Sequence, residues 1–268
     1  MQTLCRRKPL NRKEPAQVMR NVLTPQGREV CLAWLTKQPL LAFDFDGTLS
    51  QIVSDPALAC LSDTTRALLT ELAQRRPCVV VSGRSREDVM RRLHGIPLAE
   101  VVGNHGSEPW IPLAVLAKEV SPRLPALRAA LARFAGVIVE DKGASVSVHY
   151  RHAVDRRAVI EETETAARAL GFAHILSGKY VLNLIPPGGL TKDAGLLAAM
   201  SAVGKQHAIY VGDDVTDERV FALPAERDVY GIRIGHIKTS GAALYLPRQK
   251  YIDNLLSLFL TSSDSLPV

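Results

Sequence analysis

The hydrophobic residues of this chain fall into short, fully apolar runs that alternate with stretches of helical periodicity. Leu40–Phe43 and Cys78–Val81 are apolar at every position, and between them Leu68, Leu69 and Leu72 recur at helical spacing. Strands of this kind are typical of parallel sheets that helices cover on both faces. The pattern therefore predicts β-α-β units and an α/β fold. Further strands are predicted at residues 100–103, 207–211, 229–234 and 243–246.

The pattern changes between Pro109 and Pro187. Val137–Glu140 and Ser145–Tyr150 alternate polar and apolar residues, and a long helix is predicted from Asp155 to Leu170. Half-polar strands combined with a helix indicate an α+β insert whose sheet turns one face towards a wet surface. We expect a basic extension at 1–37, a core formed by 38–108 and 188–268, and an inserted unit at 109–187.

Composition and charge limit the classes of function. With 268 residues, 47% of them hydrophobic, the chain can bury a sizeable core. The net charge of +6 lies entirely in residues 1–37, and residues 38–268 balance at 25 basic against 25 acidic side chains. The body is therefore not predicted to bind nucleic acid. The Arg-rich head resembles an organellar transit segment, but we expect a solvated, partly disordered tail.

Apolar segments long enough for a secretory signal or a bilayer span are absent from the sequence. The four cysteines lack Cys-x-x-Cys spacing, so neither a zinc site nor a disulfide framework is predicted. We expect a soluble protein of a reducing, cytoplasmic compartment, without a membrane or nucleic-acid partner, that acts as a monomer or weak dimer.

Two carboxylates follow the first apolar run, in the segment Asp44-Phe45-Asp46-Gly47-Thr48. Residues two apart share one side of an extended chain, so Asp44 and Asp46 would repel each other without a cation nearby. Mg²⁺ prefers oxygen ligands, commonly one or two carboxylates and a substrate phosphate. Gly47 allows a sharp turn, and Thr48 offers a hydroxyl to a phosphate oxygen. An Asp-rich turn alone would be a weaker signal, but the whole run predicts a magnesium and phosphate site.

Polar residues follow four of the predicted core strands. The carboxyl ends of parallel strands share one crevice, so these residues should converge there, together with a lysine at a helix start, Lys192. The four groups are Asp44 and Asp46, Ser82-Gly83-Arg84, Asn104-His105-Gly106, and the acidic segment Gly212–Glu218.

These groups, in this order, resemble the motifs of the haloacid dehalogenase superfamily, which has a DxDGT strand end, a Ser or Thr, a Lys and a GDD-type loop. Each motif is weak alone, but the ordered set is specific. The resemblance implies a Rossmann-like core with an inserted α+β cap. It also implies that Asp44 attacks phosphorus to form an aspartyl-phosphate, while Asp46 protonates the leaving oxygen and then activates water. Ser82 and Lys192 would hold the phosphate oxygens.

The same resemblance implies a Mg²⁺ site in the acidic loop. Its ligands would be the Asp44 carboxylate, the Asp46 backbone carbonyl and Asp213. Asp214 and Asp217 would not bind the ion directly but would orient its ligands and waters.

A closer resemblance, to the trehalose-6-phosphate phosphatases, rests on four segments: Gly103–Glu108, Glu140–Gly143, His149-Tyr150-Arg151 and Gly212–Glu218. They are similar to that family's GNHGxE, ExKG, HYR and GDDxTDE motifs. By this resemblance residues 109–187 are a mobile cap that closes over a sugar. The substrate-binding residues that it implies are Arg84, Asn104, His105, Glu108, Glu140, Lys142, His149, Arg151, Asn183 and Glu218.

The chain departs from the family pattern on one predicted cap strand. Asn183 stands where relatives often carry a sugar-contacting Glu, and Ile185 stands where they usually carry Lys or Arg. Asp193, directly after Lys192, also differs, although a helix start favours an acidic residue. These changes concern the identity of the sugar and not the phosphate chemistry.

Together these features predict a Mg²⁺-dependent phosphatase of a small-molecule sugar phosphate, with trehalose 6-phosphate as the expected substrate. A phosphatase of another glycosyl phosphate, of the sucrose phosphate or glycosyl-phosphoglycerate type, is an alternative. A non-catalytic sugar-phosphate sensor is another, although a binding module needs neither a nucleophile nor an acid. A third alternative is nucleic-acid binding through residues 1–37, and its affinity would fall steeply as the salt concentration rises.

Overall fold

Two sheets and the helices around them form the fold of this protein, in a computed structural model that describes residues 19–261. The strands are β1 (Arg20–Asn21), β2 (Leu40–Phe43), β3 (Cys78–Val81), β4 (Glu100–Val102), β5 (Ile138–Asp141), β6 (Val146–His149), β7 (His174–Gly178), β8 (Val181–Ile185), β9 (Ala208–Gly212), β10 (Val229–Ile234) and β11 (Leu244–Leu246). The helices are α1 (Pro25–Leu35), α2 (Asp63–Arg75), α3 (Arg86–Arg92), α4 (Leu113–Val120), α5 (Leu124–Leu131), α6 (Arg156–Ala169), α7 (Lys192–Val203), α8 (Glu218–Phe221) and α9 (Ile252–Thr261).

The larger sheet is parallel throughout and has seven strands among the described residues, in the order β1-β11-β10-β9-β2-β3-β4. Successive residues of β2 face opposite sides, so Leu41 and Phe43 join one apolar core while Leu40 and Ala42 join the other. Helices cover both faces. This is the predicted α/β architecture, and it places the carboxyl ends of β2, β3, β4 and β9 along one edge.

The smaller sheet is antiparallel and has the order β5-β6-β8-β7. One of its faces packs on α5 and α6 through a separate core that includes Val146, Val148 and Leu184. Its other face carries the polar residues of the alternating strands and lies towards the larger sheet; the alternation predicted a polar face on a wet surface, whereas Ser147 and Asn183 on this face are buried. The sequence pattern missed helix α4, which lies in the stretch that prolines interrupt. The predicted limits of this unit, 109 and 187, stay a prediction.

The prediction of a solvated tail at 1–37 is wrong for its described part. Strand β1 pairs with β11, and α1 packs Cys31 and Leu35 into the core of the larger sheet. Thr24 caps the helix by accepting a hydrogen bond from the Gly27 N–H at 3.2 Å, and Pro25 occupies the first helical turn. The basic charge of this segment hid a short amphipathic helix. Residues 1–18 of the predicted extension lie outside the described residues.

Within residues 19–261, each helix is too short or too polar to cross a membrane.

Candidate active site

A buried lysine joins two buried carboxylates at the carboxyl edge of the parallel sheet. Lys192 Nζ lies 2.8 Å from Asp44 Oδ1 and 2.7 Å from Asp217 Oδ1. The exposed fractions of these side chains are 3% for Lys192, 6% for Asp44 and 0% for Asp217. Burial alone would lower the pKa of Lys192, but the charges of Asp217 and Asp44 outweigh it and raise that pKa above its usual range. Lys192 is therefore held as a cation.

Asp217 is fully occupied by hydrogen bonds. Its Oδ1 accepts from Lys192 and from the hydroxyl of Tyr210 at 2.6 Å, and its Oδ2 accepts from the backbone N–H groups of Asp213 and Asp214, each at 2.9 Å. With both oxygens used, Asp217 is suited to brace the loop and not to bind a ligand directly. Tyr210 was not predicted as a site residue because an apolar strand with a tyrosine reads simply as core.

The remaining carboxylates make this edge strongly negative. Asp44, Asp213 and Asp217 offer oxygens that all lie within 4.8 Å of one another. Burial, followed by the neighbouring carboxylates, raises the pKa of Asp213 to about 7. Burial also raises the pKa of Asp44 and of Asp214, while Lys192 opposes both shifts. A single lysine thus leaves negative charge that a bound cation would neutralise.

Gly47 fixes the close approach of the first strand end to the acidic loop. Its φ is +82°, and a Cβ built on it would lie 2.2 Å from Asp213 Oδ2, so a larger residue would displace that carboxylate. The Thr48 hydroxyl donates to Asp213 Oδ1 at 3.3 Å, whereas the sequence had suggested a phosphate oxygen as its partner. The hard oxygens of Asp44 and Asp213 suit a divalent cation such as Mg²⁺.

Asp46 is paired with an arginine and is not one of the three clustered carboxylates. Both of its oxygens are bound by Arg84, with Nε to Oδ2 at 2.6 Å and the terminal nitrogen to Oδ1 at 2.7 Å. Arg84 also contacts Asp88 and the backbone carbonyl of Pro56. The Asp46 side chain is 42% exposed, and it lies close enough to Lys142 of the cap to act on the charge of that lysine.

The loops after β3 and β4 lie against each other. The Ser82 hydroxyl accepts from the Arg84 N–H at 3.2 Å, and the Ser82 carbonyl accepts from the His105 N–H at 2.9 Å. The His105 ring packs over Gly83, where an added Cβ would lie 2.6 Å from its Cε1. Neither ring nitrogen has a hydrogen-bond partner among the described residues, although the Asn183 side chain lies close enough to affect the ring. Burial and the nearby lysines, Lys142 foremost, lower the pKa of His105 to about 3.

Glu108 braces this second loop from within. Its Oε2 accepts from the Arg86 N–H and from the Asn104 side-chain amide, each at 2.7 Å. Asn104 is buried, and its Oδ1 has no partner among residues 19–261. Glu108 is thus committed to the loop, whereas Asn104 keeps a free acceptor.

The cap turns a polar face towards these loops. Glu140, Ser147 and Asn183 are direct neighbours across β5, β6 and β8. His149 Nε2 lies 2.8 Å from Glu140 Oε2, and Ser147 Oγ donates to Asn183 Oδ1 at 2.6 Å. Lys142 is close enough to the core for Arg84 and Asp46 to act on its charge, although burial is the main cause of its lowered pKa.

Most of the chain matches one known protein family. The model of the trehalose-phosphatase family matches residues 42–244. The chain belongs to the trehalose-phosphatase family.

Individual relatives agree with this assignment. The trehalose-phosphate phosphatase of Mycobacterium tuberculosis H37Rv is 37% identical over 204 residues, which are 70% of this chain and 51% of that protein. The chain therefore spans about half the length of the curated relatives that it matches. The C-terminal domain of the Candida albicans trehalose-6-phosphate phosphatase aligns with a TM-score of 0.69 at 19% identity, over 94% of this chain and 100% of that one. The Aspergillus fumigatus enzyme has a TM-score of 0.64 at 23% identity, over 92% and 100%.

These structural neighbours confirm the predicted fold class, a Rossmann-like haloacid-dehalogenase core with an inserted α+β cap. The structure also brings most of the residues predicted from the family motifs to one place. Those near the carboxylate cluster or the facing loops are Asp44, Asp46, Ser82, Arg84, Asn104, His105, Glu108, Lys192, Asp213, Asp214 and Asp217 from the core, and Glu140, Lys142, His149 and Asn183 from the cap.

The two predicted substrate-binding residues outside this set, Arg151 and Glu218, have other partners. Arg151 is exposed, and its guanidinium lies 5.2 Å from the centre of the Tyr180 ring. Glu218 pairs with the buried guanidinium of Arg233 and accepts from the Gly241 N–H at 3.1 Å. A direct contact of Glu218 with substrate would require this pairing to break. Arg233 was missed because a single arginine in an apolar strand gives no sequence signal.

Proposed function

We propose that this chain hydrolyses a sugar phosphate, specifically trehalose 6-phosphate, to the free sugar and inorganic phosphate, with Mg²⁺ as cofactor. One observation carries the proposal. The buried Asp44–Lys192–Asp217 bridge lies beside Asp213 at the carboxyl edge of the sheet, under a polar cap face. A trehalose-phosphatase family model covering this whole region supports the same reaction.

Asp44 is the proposed nucleophile. One of its oxygens attacks phosphorus, the bond from phosphorus to the sugar oxygen breaks, and an aspartyl-phosphate forms. Lys192 contacts Asp44 directly, so its charge compensates the negative charge that gathers on the phosphoryl oxygens. Ser82, at the end of the neighbouring strand, offers its hydroxyl to the same oxygens.

Asp46 is the proposed acid and base. It gives a proton to the departing sugar oxygen and then takes one from the water that attacks the aspartyl-phosphate, which releases phosphate and restores Asp44. The Arg84 guanidinium holds both Asp46 oxygens. Substrate must therefore displace or share this contact before Asp46 reaches the sugar oxygen.

A cation would be held by the carboxylates of Asp44 and Asp213 and by the backbone carbonyl of Asp46. Bound there, Mg²⁺ would supply positive charge that lets one anion approach another. Asp214 and Asp217 would orient this loop from outside. Both oxygens of Asp217 already accept hydrogen bonds from Lys192, Tyr210 and backbone N–H groups, which favours this indirect role over direct binding of the ion.

The cap would select the sugar. Glu140, Lys142, His149 and Asn183 offer hydrogen-bond donors and acceptors above the cluster, which suits a polyhydroxylated ligand. The neutral Asn183 keeps a second candidate open, a phosphatase of another glycosyl phosphate.

The structure describes three cysteines, all free, which fits the reducing cytoplasm that we propose as the compartment of this protein.

Phosphate release by the purified protein tests the reaction. We expect turnover that EDTA removes, excess Mg²⁺ restores and Asp44→Asn abolishes, while the exposed control Asp63→Asn leaves it unchanged. A panel of trehalose 6-phosphate, sucrose phosphate, glucosyl-phosphoglycerate and glucose 6-phosphate separates the two candidates. Unreduced turnover in Asp44→Asn would contradict the mechanism, and preference for another member of the panel would contradict the substrate.

A further inference from the structure

Arg233 is a buried cation that the proposed reaction does not use. It lies in β10, directly beside Gly212 of β9, and the residue is 4% exposed. Arginine is almost never so buried unless its charge is paired and its donors are satisfied. The hydrogen-bond partners of Arg233 therefore indicate its role in the fold.

Within residues 19–261, the hydrogen-bond partners of Arg233 all belong to the acidic loop or to the helix that follows it, and they bind its two terminal nitrogens while the buried Nε has none. One terminal nitrogen donates to the carbonyl of Asp213 at 2.6 Å. The other donates to the carbonyl of Asp214 at 3.3 Å and pairs with Glu218. Glu218 in turn receives the Gly241 N–H. The guanidinium thus ties this loop to the neighbouring strand and to the segment near residue 241.

The same two residues are also held from their other side. Asp217 accepts the N–H groups of Asp213 and Asp214, while Arg233 donates to their carbonyls. The peptide group between Asp213 and Asp214 is therefore held at both ends, by a cation at its carbonyl and an anion at its N–H, and the peptide groups before and after it are each held by one of these two charges. Because the backbone is fixed in this way, it sets the positions of the Asp213 and Asp214 carboxylates against their mutual repulsion.

We propose that Arg233 is a positioning residue for the cation site, because it presets the backbone that carries Asp213 and lowers the cost of gathering negative charge there. The inference rests on the proposed function, since it assigns a role towards the proposed Mg²⁺. Groups that orient metal ligands from outside typically change metal affinity about 10–100-fold when they are removed.

Cation binding to the purified full chain tests this role without any substrate. Mn²⁺ bound to the protein is followed by electron paramagnetic resonance, and Mg²⁺ affinity is obtained from its displacement of Mn²⁺. We expect Arg233→Met to weaken binding about 10–100-fold. Arg233→Lys keeps the charge but loses the fork of two nitrogens. Its affinity for Mn²⁺ should lie between those of wild type and Arg233→Met. In turnover, the Mg²⁺ concentration for half-maximal activity should rise in the same order, with kcat at saturating Mg²⁺ changed far less.

Arg123 offers a matched control in the cap. Its Nε donates to the Leu170 carbonyl at 2.8 Å, and it pairs with Glu119, so Arg123→Met removes a similar clamp far from the acidic loop. This variant should lose stability and keep wild-type affinity for Mn²⁺.

Three outcomes would overturn proposals, and they are distinguishable. Wild-type affinity in both Arg233 variants, with a stability loss like that of Arg123→Met, would show that Arg233 is only structural. A wild-type chain that does not bind Mn²⁺ would overturn the proposed cation site and the role of Arg233 with it. If Arg233→Met does not fold, Arg233→Lys and Glu218→Gln still decide the question, and unchanged affinity in both would contradict the inference.

Discussion

The carboxylate cluster of the core and the polar face of the cap are built on opposite principles. In the core, charged groups are buried and bound to one another, with Lys192 between Asp44 and Asp217. In the cap, the Glu140–His149 pair is nearly half exposed, and the buried pair, Ser147 and Asn183, is neutral. Buried charges cannot be altered singly without a large penalty, whereas exposed or neutral groups can. The proposed phosphate chemistry would therefore belong to the region of buried charges, and the proposed choice of sugar to the region of exposed or neutral groups.

The largest effect should come from Lys192→Met. The change leaves Asp44 and Asp217 buried without their cation, and removing one partner of a buried pair costs about 3–5 kcal/mol. We expect the free energy of unfolding, measured with urea at neutral pH, to fall by about that amount, and phosphate release to be lost. The loss should shrink at low pH, because protonation of the carboxylates removes the uncompensated charge.

Lys205→Met is the control for Lys192. Lys205 is a half-buried lysine at the surface, and its Nζ donates an exposed hydrogen bond to the Gln38 carbonyl at 3.1 Å. It should lose little stability. Equal losses of unfolding free energy in the two variants would show that the buried Asp44–Lys192–Asp217 bridge contributes no more to stability than the contact of Lys205.

The second largest effect should follow from Asp46→Asn. Its side chain is 42% exposed and paired with Arg84, so the fold should survive the change. Loss of a general acid lowers the rate about 10²–10⁴-fold. We expect kcat to fall by that factor while KM and the melting temperature change little. Retained kcat would mean that another group supplies the proton and would contradict the role proposed for Asp46.

The parts of the fold that the sequence did not predict share a physical cause. The apolar strands and the motif order predicted the parallel sheet and its crowded edge, because burial on both faces and strand ends leave direct signals. Helix α1 was missed since eight basic residues in 1–37 outweighed the apolar spacing of Cys31 and Leu35. Tyr210 and Arg233 gave no signal, because their roles arise from contacts with the acidic loop that only the folded chain creates.

A third prediction concerns the pH dependence of folding at His105. Its pKa of about 3 in the folded protein lies below the usual value of about 6.5, so the unfolded chain takes up a proton first as the pH falls. The stabilisation is thus present above about pH 6.5 and is lost between there and pH 3, at up to about 1.4 kcal/mol per pH unit. We expect wild type to lose about 2 kcal/mol more than His105→Asn between pH 7 and pH 5.

Asparagine tolerates the positive φ of 58° at this position, so His105→Asn should fold. Exposed His94 provides the comparison, because His94→Asn should keep the wild-type dependence on pH. Parallel stability curves for wild type and His105→Asn would contradict the buried, neutral state of the histidine.

The smallest effect is expected on the cap face, from Ser147→Ala. This change removes the hydrogen bond that fixes the Asn183 carboxamide, and a neutral hydrogen bond contributes about 0.5–1.5 kcal/mol. Since Asn183 lies beside His105 and above the cluster, a freed carboxamide should raise KM for the sugar phosphate about fivefold and leave kcat nearly unchanged. Ser177→Ala, at an exposed position of β7 on the sheet face opposite Asn183, is the control and should not alter KM. A fall in kcat with constant KM would place Ser147 and Asn183 with the catalytic cluster, and the proposed division between a region of buried charges for phosphate chemistry and a region of exposed or neutral groups for the sugar would then be wrong.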